Sequence, residues 1–194
     1  MSHLVPSRFI ALAAAAVLIV ACSGDAGPSF DPTGPCTVDG SAPGAYPDLE
    51  GLVPDEYEGR DPDLLDSGRN CTDANLGSLA GHGIDEVRFA GGTWDFGSDI
   101  AVVLAVFSAE GLTVEALTEW WETSARESPR TQITGASRVD VAGVTAWRLD
   151  TKTGERLQTV VAWPGREQGL VNVVLSHNLP DPKIEAAVRA FEGR

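Results

Sequence analysis

Ile100 to Phe107 is a run of eight consecutive apolar residues, bounded by Gly97-Ser98-Asp99 before it and Ser108 after it. A run of strand length with no polar interruption reads as a buried central strand. Such a strand needs neighbours, and the flanking sequence supplies them. Val87 and Phe89 alternate with charged residues, which suggests a strand before the run. The glycine pair Gly91-Gly92 and the turn Asp95-Phe96-Gly97-Ser98 would join the two as a hairpin.

Residues 114–127 read as a helix. Thr113 is a good N-cap, Leu112 and Leu117 form a hydrophobic staple, and Val114, Leu117, Trp121 and Ala125 line one face. Four strands follow: Ser137 to Val141, Thr145 to Leu149, Leu157 to Trp163 and Leu170 to His177. The turns Ala142-Gly143-Val144, Lys152-Thr153-Gly154 and Pro164-Gly165 separate them. A last helix opens at Asp181-Pro182, with Ile184, Ala187, Val188 and Phe191 as its apolar stripe. A shorter helix is expected over 73–80, after Thr72. Hairpin-linked strands imply an antiparallel sheet. The expected fold is therefore α+β, a two-layer antiparallel sheet covered by helices on one face. The single globular domain would span residues 48–194, long enough for one core. From residue 86 on, the Val141-Ala142-Gly143-Val144 turn, the later hairpins and the terminal helix resemble PsbP-like domains of small lipid-anchored or secreted proteins. The resemblance implies a binding or accessory role rather than an enzyme.

The N-terminus carries a targeting signal. Arg8 precedes the apolar run Phe9 to Ala21, and Ile19-Val20-Ala21-Cys22 is followed by Ser23-Gly24-Asp25. A charged start, a short apolar segment and a small residue at the cut site describe a secretory signal peptide over residues 1–21. The aliphatic-variable-small-Cys tetrad resembles the lipobox of bacterial lipoproteins. That resemblance implies cleavage before Cys22 and attachment of acyl chains (palmitate among them) to its thiol. The protein would be a lipoprotein anchored to the cell membrane on its extracytoplasmic side. Residues 22–47 hold five Gly, five Pro and three Ser after Cys22, which reads as a flexible tether. Outside the cytoplasm, Cys36 and Cys71 are expected to pair as a disulfide bond.

Charge narrows the partners. The net charge of −14 becomes −15 when Arg8 leaves with the signal peptide, and no basic stripe is present to neutralise phosphates. Nucleic acid is therefore excluded as a partner. Acidic residues crowd into 48–66, with leucines interspersed.

The chemical motifs are sparse. Asp95-Phe96-Gly97 spells the magnesium motif of protein kinases, but the glycine loop, strand lysine and catalytic His-Arg-Asp are lacking. Asp61, Asp63 and Asp66 begin like a calcium loop, yet Leu65 and Asp66 stand where an oxygen ligand and glycine belong. They are weak metal candidates. His3, His82 and His177 do not form a ligand cluster in the sequence, and there is no Gly-x-Ser-x-Gly. Trp94 and Trp120 are candidates for an exposed partner-binding surface, with Trp121 on the buried helix face. The sequence thus suggests a non-enzymatic, cofactor-free, lipid-anchored module that binds a partner protein or small ligand. The alternative is an extracytoplasmic solute- or divalent-cation-binding lipoprotein.

Overall fold

The computed structural model describes residues 30–192. Its strands are β1 (Gly40–Ala42), β2 (Leu64–Asn70), β3 (Val87–Gly97), β4 (Ile100–Ser108), β5 (Thr131–Val141), β6 (Val144–Thr153), β7 (Arg156–Pro164) and β8 (Leu170–His177). The helices are α1 (Pro47–Glu50), α2 (Asp73–Leu76), α3 (Ser78–Gly81), α4 (Val114–Glu127) and α5 (Asp181–Glu192). All eight described strands join one antiparallel sheet, ordered β1-β2-β3-β4-β8-β7-β6-β5. Strand accounts for 43% and helix for 23% of the described residues.

The continuous apolar run is β4, at the centre of the sheet. Its alternate residues point to opposite faces, as strand geometry requires. Val102, Leu104 and Val106 pack with Ile184, Ala187, Val188 and Phe191 of α5. Ala105, with Val103 and Phe107, joins Ala116, Leu117 and Trp120 of α4 on the other face. Two cores therefore share one sheet, each closed by a long helix, and α2 and α3 add Leu76 and Leu79 to the α4 side. This overturns the two-layer α+β expectation with helices on one face. The fold is sheet-dominated, and both faces are covered because β4, β7 and β8 are apolar on both sides. Burying the Ile184, Val188 and Phe191 side chains contributes roughly 1.5–3 kcal/mol each.

Local details also differ from expectation. Gly91-Gly92 is not a loop but lies inside β3. A Cβ on Gly92 would come within 2.9 Å of the Trp94 ring and 3.2 Å of Val53 Cγ1, so the strand needs glycine there for close approach. The β3–β4 turn is instead Ser98-Asp99, both at positive φ. The β5–β6 hairpin closes through Ala142-Gly143 at φ 55° and 86°, the left-handed pair that a two-residue turn uses. The helix expected over 73–80 is broken at Gly77 into α2 and α3.

β1 and β2 extend the sheet where no strand was expected. β2 reads Leu-Leu-Asp-Ser-Gly-Arg-Asn, which lacks an apolar alternation, yet Asp66, Ser67, Arg69 and Asn70 are all buried. They are buried because residues 30–47 fold over them as an arm. The Arg69 guanidinium donates to the carbonyls of Asp31, Gly34 and Pro35 at 2.9–3.2 Å and stacks on Phe30. Cys36 is disulfide-bonded to Cys71, with Cα atoms 5.7 Å apart. Gly68 lets β1 approach, since a Cβ there would lie 2.2 Å from the Gly40 carbonyl oxygen. The stretch expected to be a free tether up to residue 47 is thus docked from residue 30 onward.

Candidate functional site

A recess of about 400 Å³ opens at the N-terminal end of α4, between the β5–β6 hairpin and the loop joining β7 to β8. Thr113 starts α4 cleanly, its hydroxyl oxygen accepting the Ala116 N–H at 3.1 Å. Val114, Ala146, Trp147, Leu170 and Val171 make the floor and walls mostly apolar. Trp147 is partly exposed, yet its indole N–H is buried without an acceptor among the described residues. The recess therefore meets ring carbon rather than the donor.

The rim is charged. Glu115 on α4 and Arg138 on β5 form an ion pair at 2.6 Å, both about two-thirds exposed. Glu167 stands in the β7–β8 loop and lines the opening. Asp140 lies directly across the hairpin from the lining residue Thr145, and one of its oxygens accepts the Gly143 N–H. Thr118 lines the recess but donates its hydroxyl to the Val114 carbonyl, so that donor is already used. An apolar pocket with a few polar groups at its edge is the usual form of a small-ligand site.

The residues singled out in the sequence lie elsewhere. Trp94 is completely buried, donates its N–H to the Arg60 carbonyl at 2.8 Å and meets Tyr57 edge-on. Trp120 is 8% exposed, packed toward α3 beside Gly77. Neither forms a partner surface, because each fills one of the two cores. Trp121, expected to be the buried one of the pair, is partly exposed against Phe107.

Asp61, Asp63 and Asp66 do not converge on a metal site. Asp63 accepts from Arg60 and from the Asp95 N–H, while Asp66 is buried in β2 with one oxygen unpartnered. Among the described residues no group of three or more His, Cys, Asp or Glu could hold a metal ion. His82 is exposed and pairs with Glu119 at 3.0 Å. His177 ends β8 half-buried, and burial together with nearby Arg156 holds its pKa below the usual value despite Asp99. Asp95-Phe96-Gly97 is the end of β3, with the Asp95 carboxylate accepting the Gly97 N–H at 2.7 Å. Cys22, His3 and the signal segment lie outside the described residues.

Carboxylates in the arm region are tuned by structure. Burial would raise the Asp39 pKa, but hydrogen bonds from Thr72, the Cys71 N–H and Asn75 outweigh it and hold the carboxyl below its ordinary value. Asp66 is shifted upward by burial and by Glu50, against a hydrogen bond from Ser41. The Tyr57 hydroxyl is pushed up to about 12 by burial and by Glu58, and it donates to the Lys183 carbonyl.

The recess is built from separate stretches of chain on α4, β5, β6 and the β7–β8 loop. The chain matches no protein-family model and no curated protein. Its chemistry must be read from its own residues. Trp147 falls within the strand expected over Thr145 to Leu149, where the sequence gives it no role. Its odd position in β6 puts it on the α4 face, beside Ala162 of β7 and Arg138 of β5 in the register. No sequence signal gives that register across three strands.

Proposed function

We propose that this protein is a lipoprotein anchored through Cys22 on the extracytoplasmic side of the cell membrane, and that its folded domain binds a ligand or partner without transforming it. The observation that carries the reading is the Cys36–Cys71 disulfide. Structural disulfides persist in oxidising compartments and are rare in the cytosol. It agrees with the lipobox-like Ile19-Val20-Ala21-Cys22 placed shortly before the arm. One acyl chain holds a protein only marginally, and the two or more that lipoprotein processing adds would hold it stably.

Within this reading, the recess beside Trp147 favours a small organic ligand. It does not favour a divalent cation, since its rim carboxylates do not converge. The anchor is tested by expressing the full chain and its Cys22→Ala variant with an alkyne-labelled fatty acid, then separating membranes from soluble material. Labelled, membrane-bound protein that becomes unlabelled in the variant is expected. Equal labelling of both forms, or none in either, overturns the reading.

A further inference from the structure

We infer that the recess beside Trp147 takes an organic cation, an ammonium or quaternary ammonium group carried on a small apolar body. This rests on the reading of the recess as a ligand site and adds the class of ligand. Three features of the site point the same way. The floor is apolar, so the ligand needs a hydrophobic body. Trp147 lines the recess with its indole N–H buried, and among aromatic rings indole attracts a cation most strongly through its quadrupole. The surrounding charge is negative: Glu115, Asp140 and Glu167 stand against the single guanidinium of Arg138.

The distribution of that charge matters more than its total. Arg138 is committed to Glu115 at 2.6 Å, which neutralises both. Asp140 is partly satisfied by the Gly143 N–H, and Glu167 remains at the mouth. Arg166, in the same loop, has a partner of its own and does not line the recess. An anionic ligand would meet Glu167 on entry and would find Arg138 already paired with Glu115. A cation meets neither obstacle, and the net charge of the whole chain, −14, draws it in.

The test uses the full chain in lipid nanodiscs with fluorotryptophan at all five Trp positions, read by fluorine NMR, with empty nanodiscs as the blank. The Trp147 signal is assigned with Trp147→Phe. Three probes of one shape are titrated: benzyltrimethylammonium, benzyl alcohol and phenylacetate. The expected result is a saturable shift of the Trp147 signal, with the cation binding about tenfold more tightly than either other probe. Trp147→Leu should weaken the cation at least about fivefold, followed by the signal of an added ligand fluorine rather than of the lost ring. Glu167→Gln should weaken it about two- to fivefold and leave benzyl alcohol unchanged. Binding of benzyl alcohol or phenylacetate as tightly as the cation overturns the charge assignment while leaving a ligand site in place. No shift of Trp147 with any probe overturns both the assignment and the reading of the recess as a site.

Discussion

Replacing both Cys36 and Cys71 by Ala tests how the arm contributes to stability. The disulfide closes a loop of 35 residues. In the chain-entropy model a loop of that length restricts the unfolded chain by about 4 kcal/mol at 25 °C. For a domain of this size that corresponds to a fall in Tm of about 8–16 °C. The folded state should change little, because the arm has other attachments. Arg69 holds three carbonyls, Asp39 holds the Cys71 N–H and Asn75, and β1 pairs with β2 through Gly40–Arg69, Ser41–Gly68 and Ala42–Ser67. Urea unfolding of both forms, followed by tryptophan fluorescence and circular dichroism, gives the change in stability. Hydrogen exchange of residues 30–47 reports whether the arm stays docked. The expected outcome is a loss of about 3–4 kcal/mol with arm protection retained. A loss below about 1 kcal/mol with the arm still protected refutes the loop-entropy argument. Loss of arm protection with unchanged urea stability refutes the claim that Arg69 and Asp39 hold it independently.

Other perturbations follow from single sites. Gly92→Val forces side-chain atoms against the Trp94 ring and Val53 and should cost about 1–3 kcal/mol in urea unfolding; no loss would mean Trp94 and Val53 can yield there. Arg69→Met leaves the Asp31, Gly34 and Pro35 carbonyls without their donor, and should cost at least about 2 kcal/mol or release the arm in hydrogen exchange. Asp39 has a folded pKa below its unfolded value, so its contribution is full above about pH 4 and is lost as pH falls through the lower folded value. Asp39→Asn should therefore reduce stability at pH 7 and flatten its decline in acid, measured by urea midpoints across pH. Asp66 has the opposite sign: Asp66→Asn should stabilise at pH 7, and the gain should fade as pH drops from the raised folded value to about 4.

The sequence was legible where apolar periodicity or turn chemistry acts locally. Thr113 and the stripe after it mark α4, the Ala142-Gly143 turn marks the β5–β6 hairpin, and Leu170 to His177 coincides with β8. It was misleading where burial is decided by distant chain. β2 carries buried Asp, Ser, Arg and Asn, whose partners lie some 35 residues away in a proline-rich arm that looks unable to pack. The placement of helices on both faces could have been suspected from β4, β7 and β8, since each is apolar at odd and even positions. The order of elements alone does not say which face a helix takes. Trp94 and Trp120 illustrate the same limit, because a tryptophan in a turn-rich segment or next to another tryptophan carries no mark of its depth. The recess needed the register of β5, β6 and β7 before Arg138, Trp147 and Glu167 could be seen as neighbours.

The docked arm also sets a length scale. Only seven residues, 23–29, lie between the proposed anchor at Cys22 and the folded body at Phe30, a reach of at most about 28 Å over eight steps when fully extended. Had the chain been free up to residue 47, the reach would be roughly three times greater. A domain anchored in that way would sample a thin shell of solution, only a few Debye lengths deep at physiological ionic strength. In that shell its net negative charge would be repelled by an anionic lipid surface within about a Debye length. Solutes that it captures would be those arriving along the membrane, not those dispersed in the bulk.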